Sequence, residues 1–441
     1  MTHSPAMPAA SLVAVCACCL STACGGGGDP TQPAAVQQAP APEQPLAIVV
    51  AGPNAVSYWN EVATTVINQP ATAGGTPEEQ RPNIAVDLAT VHLAIYDAVM
   101  AIAGTHRPYA ITPRSDPAGA SQEAAAAAAA YRVLQGLFPG RSALYQPAYD
   151  SYLATLPDSS AKTQGLRLGT EVAAGILGLR AADGRSAPLA PFQLGSAPGE
   201  FRGSNPIGRE YSSIKPFTLN TISQFRAPGP QPLYGSGYAA DLQETQTLGA
   251  AASTTRSAAL TETARFHTEP PFNFWPRNMR SFAMTDRNLA EQARLMALIW
   301  VTQADATNAC FESKYHYRFW RPASAIALAD TDNNDATAPD PAWTPVVPTP
   351  NHPEYPAAHS CVSGAMAAVL SGYYGTSKLS FDFSSKVTGS SHHYDTTDAL
   401  VDEIQQARIA GGMHFRSSTV DGAALGRSVG AWVLSHAFQP H

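Results

Sequence analysis

The sequence predicts an all-α protein made of helix bundles that are joined by long proline-rich loops. Two observations lead to this fold class. Apolar residues recur at helical spacing through most of the chain after residue 47, whereas alternation of Val, Ile and Thr at strand length is scarce. The chain has 441 residues, of which 44 % are hydrophobic and 14 % charged, so a large packed core is expected.

The N-terminus predicts an exported protein. Residues 1–23 contain a short apolar run followed by small residues, which is typical of a signal peptide and too short for a permanent membrane span. Small residues directly before a cysteine resemble a bacterial lipoprotein cleavage site, with Cys24 as the lipidated first residue. No Lys or Arg precedes the apolar run, so ordinary cleavage followed by secretion is the alternative. We expect a periplasmic protein that contacts the outer membrane only through a lipid on Cys24.

A tether separates this cysteine from the folded domain. Residues 24–46 are rich in Gly, Pro and Gln, a composition typical of a flexible linker, so the folded domain is expected to span residues 47–441. The domain contains two cysteines, Cys310 and Cys361. Export makes a disulfide between them possible, and two buried free thiols are the alternative.

Helical periodicity recurs along the domain. An apolar helix is predicted over residues 84–103, ending at Gly104. The alanine-rich segment 123–138 is a strong helix former that is expected to pack closely against a neighbour. Residues 289–320 are also predicted to be helical, with a break near the middle. The other predicted helices are 163–183, 359–375, 398–415 and 420–438.

The stretch "SKYHYRFWRP", residues 313–322, sets Lys314, Arg318 and Arg321 among aromatic residues. The aromatic residues argue against full solvation, and burying these charges without a partner is costly. The formal net charge of the chain is −7 and no long basic tract is present, so nucleic acid is not the expected partner. A small anion is expected instead.

Two further stretches contain groups that bind or react with an oxyanion. "PAAH", ending at His359, opens a helix whose free N–H groups and dipole attract anions. Arg408 precedes His414 by six residues. A guanidinium group holds oxygen atoms in a fixed geometry, and histidine can serve as ligand, nucleophile or acid–base.

Written as K-x6-R-P, P-x-x-H and R-x5-H, the three stretches resemble the signature of vanadium-dependent haloperoxidases and the type 2 phosphatidic acid phosphatase superfamily. They occur in the order found in that superfamily, within residues 314–414. "VHLAIYDAV", "FRGSNP" and "FWRPASAI" are also similar to the bacterial haloperoxidases, so the resemblance covers most of residues 55–435.

The resemblance implies that the anion is vanadate, with phosphate able to occupy the same site. His414 would bond the vanadium, and Lys314, Arg321 and Arg408 would hold the surrounding oxygen atoms. Lys314 would also polarise hydrogen peroxide.

The resemblance implies further roles near the start of the helix. His359 would be the acid–base residue, and the backbone N–H of Ala358 would donate to the anion. Ala357 stands where the family usually has serine, so one hydrogen bond to the anion is missing or replaced. His352 occupies a position where bromide-oxidising members tend to have histidine and chloride-oxidising members phenylalanine, which slightly favours bromide or iodide.

The implied function is a haloperoxidase that uses hydrogen peroxide to oxidise halide to a hypohalous acid equivalent, which halogenates a small organic acceptor. An acid phosphatase with His414 as the phosphorylated nucleophile is one alternative. It is weakened because the phosphatases orient this histidine with an aspartate, and Ser418 stands at that position here. A non-catalytic, tethered oxyanion-binding protein is the other alternative.

Two more stretches are notable for their histidines and aromatic residues. "SSHHYD", with His392, His393 and Asp395, is interpreted as a solvent-facing loop and not a metal site. "RFHTEPPFNFW", residues 265–275, is expected to add aromatic walls to the pocket.

Overall fold

A computed structural model describes residues 44–441 of the chain. The predicted signal peptide, the lipidation site at Cys24 and most of the tether lie outside the described residues, so those predictions stay predictions.

The helices of the described part are α1 (Ala55–Ile67), α2 (Pro77–Gln80), α3 (Ile84–Ala103), α4 (Gln122–Leu137), α5 (Ser142–Ala154), α6 (Ser160–Arg180), α7 (Ser236–Gly249), α8 (Ala258–Phe266), α9 (Pro271–Ala283), α10 (Leu289–Tyr317), α11 (Pro322–Ala327), α12 (Ala358–Tyr374), α13 (Thr397–Ala410) and α14 (Arg416–His436). Short 3₁₀ turns occur at Pro139–Arg141, Arg209–Ser213 and Ala329–Thr331.

The predicted all-α fold is confirmed, with one small sheet added. The strands are β1 (Leu46–Ala47), β2 (Leu379–Ser384) and β3 (Ser391–Tyr394). β1 pairs parallel with β2, and β2 pairs antiparallel with β3. Strands this short carry too few residues for a recognisable alternation, so the sequence did not reveal them.

Helices α3, α4 and α6 form the N-terminal bundle. A side chain at Gly169 of α6 would collide with the carbonyl oxygen of Ala125 in α4, so these two helices pack backbone to backbone. The expected close packing of the alanine-rich helix is therefore confirmed. Helix α3 is long and apolar enough to cross a membrane, but 89 % of its most apolar window is buried inside the protein. It is a core helix of the bundle.

The expected break in residues 289–320 is wrong, because α10 runs without interruption from Leu289 to Tyr317. Its middle is buried, and the charged group there is satisfied: Asp305 accepts hydrogen bonds from the backbone N–H groups of Phe217 and Thr218 at 2.7 and 2.8 Å. The helix ends where Arg318 adopts a left-handed conformation with φ of 51°. The functional motif therefore bends away from the helix after its first four residues.

Helices α10, α12, α13 and α14 form the C-terminal bundle. A side chain at Gly426 of α14 would collide with the backbone of Cys361, so α12 and α14 also cross in close contact. Cys310 of α10 and Cys361 of α12 are joined by a disulfide, which decides between the two alternatives for these cysteines. The bond ties together two helices that both lead into the candidate site.

Candidate active site

The three sequence motifs converge at the ends of five helices. Lys314 lies in the last turn of α10, Arg321 immediately precedes α11, and Arg408 lies in the last turn of α13. His359 is in the first turn of α12, and His414 lies in the turn before α14. The structure thus brings together all five side chains that the sequence singled out for anion binding and catalysis.

Lys314 is fully buried behind the loop that precedes α12. Its Nζ donates to the carbonyl oxygens of Pro353 and Glu354 at 3.0 and 2.9 Å. Burial, reinforced by repulsion from Arg321, lowers the pKa of Lys314 well below its usual value. An anion beside the ammonium group would oppose both effects.

Arg321 is held by three groups around its guanidinium. Nε donates to the carbonyl oxygen of His352 at 2.8 Å, and Nη1 donates to that of Met413 at 2.9 Å. Nη1 also lies 3.1 Å from Nε2 of His414. Burial lowers the pKa of Arg321 to about 10. The guanidinium is therefore fixed next to the imidazole nitrogen that the sequence assigns to the metal.

Arg408 is the least satisfied of the three cations. Nη1 donates to the carbonyl oxygen of His267 at 3.1 Å, and Nη2 lies 3.0 Å from the sulfur of Met413, a weak acceptor. Nε is buried and has no hydrogen-bond partner among the described residues. Burial, then repulsion by Arg321, lowers the pKa of Arg408 to about 9.

Glu354 is a site residue that the sequence analysis missed. Its Oε1 lies 2.8 Å from Nδ1 of His414 and also accepts the backbone N–H of Phe415 at 3.1 Å. A carboxylate at this place accepts the proton of Nδ1–H, which leaves the lone pair of the imidazole on Nε2. Nothing in "HPEYP" distinguishes this glutamate from a surface residue, so the sequence held no signal for it.

The carboxyl group of Glu354 is fully buried. Burial raises its pKa to about 7, although Arg321 and Lys314 act in the opposite direction. It bonds to His414 and not to any of the three cations, and no carboxylate in residues 44–441 forms an ion pair with those cations. The site therefore has a surplus of buried positive charge, which is unfavourable without an anion.

The sequence analysis expected His414 to lack an orienting carboxylate because Ser418 replaces the usual aspartate, and this expectation is wrong. The chain lacks the aspartate four residues after the histidine, but Glu354 supplies a carboxylate to the same imidazole from a different segment. The sequence argument failed because it searched only the residues that follow His414.

Helix α12 starts without a side-chain cap because its N-cap residue is Ala357. The backbone N–H of Ala357 donates to the carbonyl oxygen of Ser418 at 3.0 Å, whereas the N–H groups of the first helical residues, 358–360, have no helical acceptor. The hydroxyl of Ser360, in the same turn, is buried without a hydrogen-bond partner in the described part of the chain. The start of α12 thus offers several donors to an anion.

His359 is neutral near neutral pH. Burial, followed by repulsion from Arg408 and His267, lowers the pKa of His359 well below its usual value. Its ring makes no hydrogen bond to any residue in 44–441. A neutral, unengaged imidazole can accept a proton from a bound molecule.

The donor set fits a tetrahedral oxyanion such as vanadate or phosphate. Nε of Arg408 is a buried donor without a partner in residues 44–441, and it belongs to a group that carries surplus positive charge. Nε2 of His414 accepts from Nη1 of Arg321 in this structure, and its lone pair can serve instead as the single protein ligand of a metal. The chemistry of the residues present therefore agrees with the vanadate that the resemblance implies.

His352 lies against Arg321 at the edge of this group. Its Nδ1 is 3.0 Å from Nη2 of Arg321. Nδ1 also lies 3.2 Å from the carbonyl oxygen of Pro353. The ring also contacts Phe311, with centroids 5.1 Å apart.

The candidate site opens into a cavity of about 380 Å³. We call His352, His359, Arg408 and His414 the floor of this cavity. Phe272 of α9 lies in its wall, as do the apolar residues Ile84, Ala85, Trp275, Phe311 and Val362. Phe272 and Trp275 belong to "RFHTEPPFNFW", so the expected aromatic wall is confirmed.

The interpretation of "SSHHYD" as a solvent-facing loop is wrong for His392 and correct for His393. The segment forms strand β3, and His392 bridges Glu403 at 2.8 Å and Glu262 at 2.9 Å. His393 is exposed between two surface aspartates. No group of three potential metal ligands occurs in the described residues, 44–441.

His392 is linked indirectly to the candidate site through Glu403. Glu403 also lies 2.8 Å from Nε2 of His267, whose carbonyl oxygen accepts the hydrogen bond from Arg408. Although burial alone would raise the pKa of Glu403, its bonds to His267, Tyr394 and the β3 histidine lower it to about 2. The ionised carboxylate thus helps to hold the backbone that supports Arg408.

Comparisons with known proteins agree with this architecture. Residues 294–441 match a family model described as the VCPO second helical-bundle domain. A solved bacterial vanadium-dependent iodoperoxidase is 21 % identical, with a TM-score of 0.67 over 87 % of this chain and 95 % of that chain. The holo form of a bacterial vanadium-dependent chloroperoxidase is 15 % identical, with a TM-score of 0.64 over 88 % of this chain and 98 % of that chain. No curated protein matches the sequence. The family model and the solved structures confirm the predicted resemblance and the helical fold.

Proposed function

We propose that this chain is a vanadate-dependent haloperoxidase. It has the fold of the vanadium haloperoxidases, and its residues 294–441 match the VCPO second helical-bundle domain. It uses hydrogen peroxide to oxidise halide to hypohalous acid, which halogenates an organic acceptor. One observation carries the proposal: three buried cations without a carboxylate partner in residues 44–441 surround an imidazole whose lone pair lies on Nε2, where a metal can replace the hydrogen bond from Nη1 of Arg321.

The residues that would hold vanadate follow from their contacts. His414 would bind the vanadium through Nε2, because Glu354 accepts the hydrogen bond from Nδ1–H and so leaves the lone pair on Nε2. Lys314, Arg321 and Arg408 hold the oxygen atoms and offset their negative charge. When bound, vanadate supplies a Lewis acid that activates hydrogen peroxide towards halide without a change in its own oxidation state.

The overall reaction converts halide, hydrogen peroxide and one proton into hypohalous acid and water. His359 would move a proton within this reaction, because its imidazole is neutral and lies in the cavity floor: it would accept one proton of peroxide and return it to the oxygen that becomes water. The further proton that the overall equation consumes comes from solvent. Lys314 polarises the peroxide through its ammonium charge.

We also infer a preference for bromide or iodide over chloride. His352 lies in the cavity floor beside Arg321, so an imidazole N–H donor and a cation lie close together for a halide. The expected consequence is that His352→Phe changes the ratio of iodide to chloride oxidation more than it changes vanadate affinity.

Glu354 supports a second candidate function, an acid phosphatase. A nucleophilic histidine needs its lone pair on Nε2 and a carboxylate on Nδ1, and His414 has both. In that reaction His414 would attack phosphorus and His359 would protonate the leaving group. The structure therefore supports this alternative more than the sequence did.

One paired assay distinguishes the two functions. Protein supplied with orthovanadate and peroxide is expected to oxidise bromide or iodide, and His414→Ala is expected to abolish this. His436→Ala, at the exposed end of α14, is the matched control. Efficient hydrolysis of phosphomonoesters without halide oxidation would replace the haloperoxidase with the phosphatase. Vanadate binding with neither activity would leave an oxyanion-binding protein.

We propose export with a lipid anchor at Cys24, which lies outside the described residues. The buried disulfide between Cys310 and Cys361 supports an oxidising compartment. The wild-type protein is expected to partition into detergent and Cys24→Ala to lose this property. A wild-type protein that is fully soluble after export would exclude the anchor.

A further inference from the structure

The wall of the cavity contains polar groups that halide oxidation does not use. Gln303 of α10 is 3 % exposed, and its side chain makes no hydrogen bond to any residue in 44–441. Nδ2 of Asn83, just before α3, is also buried without a partner among the described residues. Both residues lie in the cavity wall. A buried amide without a partner is unfavourable, so these groups indicate a ligand with a hydrogen-bonding group.

The rest of the wall indicates the shape and charge of that ligand. The side chains of Phe272, Trp275 and Phe311 present three aromatic rings to the cavity, which favours a planar aromatic molecule. A volume of about 380 Å³ lies in the range of small-molecule pockets. No carboxylate lines this cavity within the described residues, and its floor carries the cation Arg408, so a cationic ligand is disfavoured.

We propose that this cavity binds the organic acceptor, and that the acceptor is a neutral, electron-rich aromatic compound of the phenol class whose hydroxyl donates to Gln303. This proposal rests on the proposed haloperoxidase function for the acceptor's role, whereas binding itself requires neither halide nor peroxide. The ring then lies between the apolar wall and the floor, beside the place where hypohalous acid forms.

Halogenation replaces one hydrogen atom of the bound ring with a halogen atom. The halogen of hypohalous acid is transferred as a cation to a ring carbon, and the new carbon–halogen bond replaces a carbon–hydrogen bond. The proton from the ring combines with the departing hydroxide to give water. A bound acceptor would therefore be halogenated before hypohalous acid diffuses into solution, with a position set by the cavity.

The test measures binding calorimetrically on the mature, vanadate-loaded protein without halide or peroxide. The probes are 2-naphthol and its methyl ether, which differ in the hydroxyl donor. Wild type is expected to bind 2-naphthol at least tenfold more tightly than the ether. Gln303→Leu is expected to remove this preference. Asn308→Leu is the matched control, because Asn308 is also a buried, unpartnered amide of α10 but does not line the cavity.

Equal binding of the two probes by wild type, or no binding of either, would overturn the acceptor site. Loss of the preference in Asn308→Leu as well as in Gln303→Leu would also overturn it, because the effect would then not depend on the cavity. If Gln303→Leu does not fold, the difference in affinity of wild type for the two probes still tests the acceptor site.

Iodide oxidation without an organic acceptor separates this proposal from the proposed function. Protein that oxidises iodide but does not bind 2-naphthol contradicts only the acceptor site. Protein that binds 2-naphthol but oxidises no halide contradicts the haloperoxidase, and with it the role of the ligand as acceptor.

Discussion

Buried charges occur in two regions of this protein, and they are compensated in different ways. In the N-terminal bundle, Asp87 of α3 forms an ion pair with Arg185 at 2.6 Å, with both side chains buried. Asp97 of the same helix accepts hydrogen bonds from three successive backbone N–H groups, residues 109–111. Every one of these carboxylates has its partner within the protein.

At the candidate site, the buried cations Lys314, Arg321 and Arg408 receive carbonyl oxygens and a sulfur, but no carboxylate in residues 44–441. A paired buried charge stabilises the fold only through its partner, and unpaired buried cations identify the place of an external anion. Both regions bury their charges equally well. They differ in the partner: the charges of the N-terminal bundle are paired within the protein, whereas the cations of the candidate site have no carboxylate partner in residues 44–441.

The largest effect is expected in the paired region. Arg185→Met leaves the carboxylate of Asp87 buried without its cation and is expected to lower the free energy of unfolding by about 3–5 kcal/mol. Urea unfolding monitored by circular dichroism measures this. The double variant with Asp87→Asn should recover most of the loss, and a single variant as stable as wild type would show that the pair is not structural.

Arg408→Met tests the unpaired region. Removing a cation without a counter-ion is expected to leave the vanadate-free protein within about 1 kcal/mol of wild-type stability. Vanadate affinity, measured by calorimetry, is expected to fall at least tenfold, which corresponds to about 1.4 kcal/mol. If Arg408→Met lowers the free energy of unfolding as much as Arg185→Met does but leaves vanadate affinity unchanged, Arg408 is a structural charge and not an anion ligand.

A smaller effect is expected from Glu354→Gln. The amide can donate to Nδ1 of His414 and so permits the tautomer whose Nε2 carries the proton, which lowers vanadate affinity by about tenfold. Nitrogen-15 NMR of the imidazole reports the tautomer directly. Asp382→Asn, beside the exposed His393, is the control and should change neither quantity. An unchanged tautomer in Glu354→Gln would show that the carboxylate does not orient the histidine.

The smallest effect is expected from Ala357→Ser at the uncapped start of α12. The added hydroxyl should strengthen vanadate binding by about 0.5–1.5 kcal/mol, the value of roughly one hydrogen bond. Calorimetric titration with vanadate measures it. Unchanged or weaker affinity would indicate that the hydroxyl of Ser360 already occupies that place.

The sequence by itself determined the helical fold and singled out five side chains that the structure brings together. Helix periodicity is a local property, so the apolar helix at residues 84–103 and the alanine-rich helix that follows could be predicted directly. The motifs that contain Lys314, His359 and His414 were recognisable because their spacing is also local. The order of the motifs then gave the family resemblance.

Tertiary structure alone decided which side chains complete the site. Glu354 reaches His414 across 60 positions of the sequence, and Gln303 shares a cavity with Asn83 from a different helix. It also decided that α10 stays unbroken, because the buried Asp305 receives its hydrogen bonds from the distant residues 217 and 218. Contacts between separate elements depend on packing and on the pairing of buried polar groups, and neither leaves a periodic pattern in the chain.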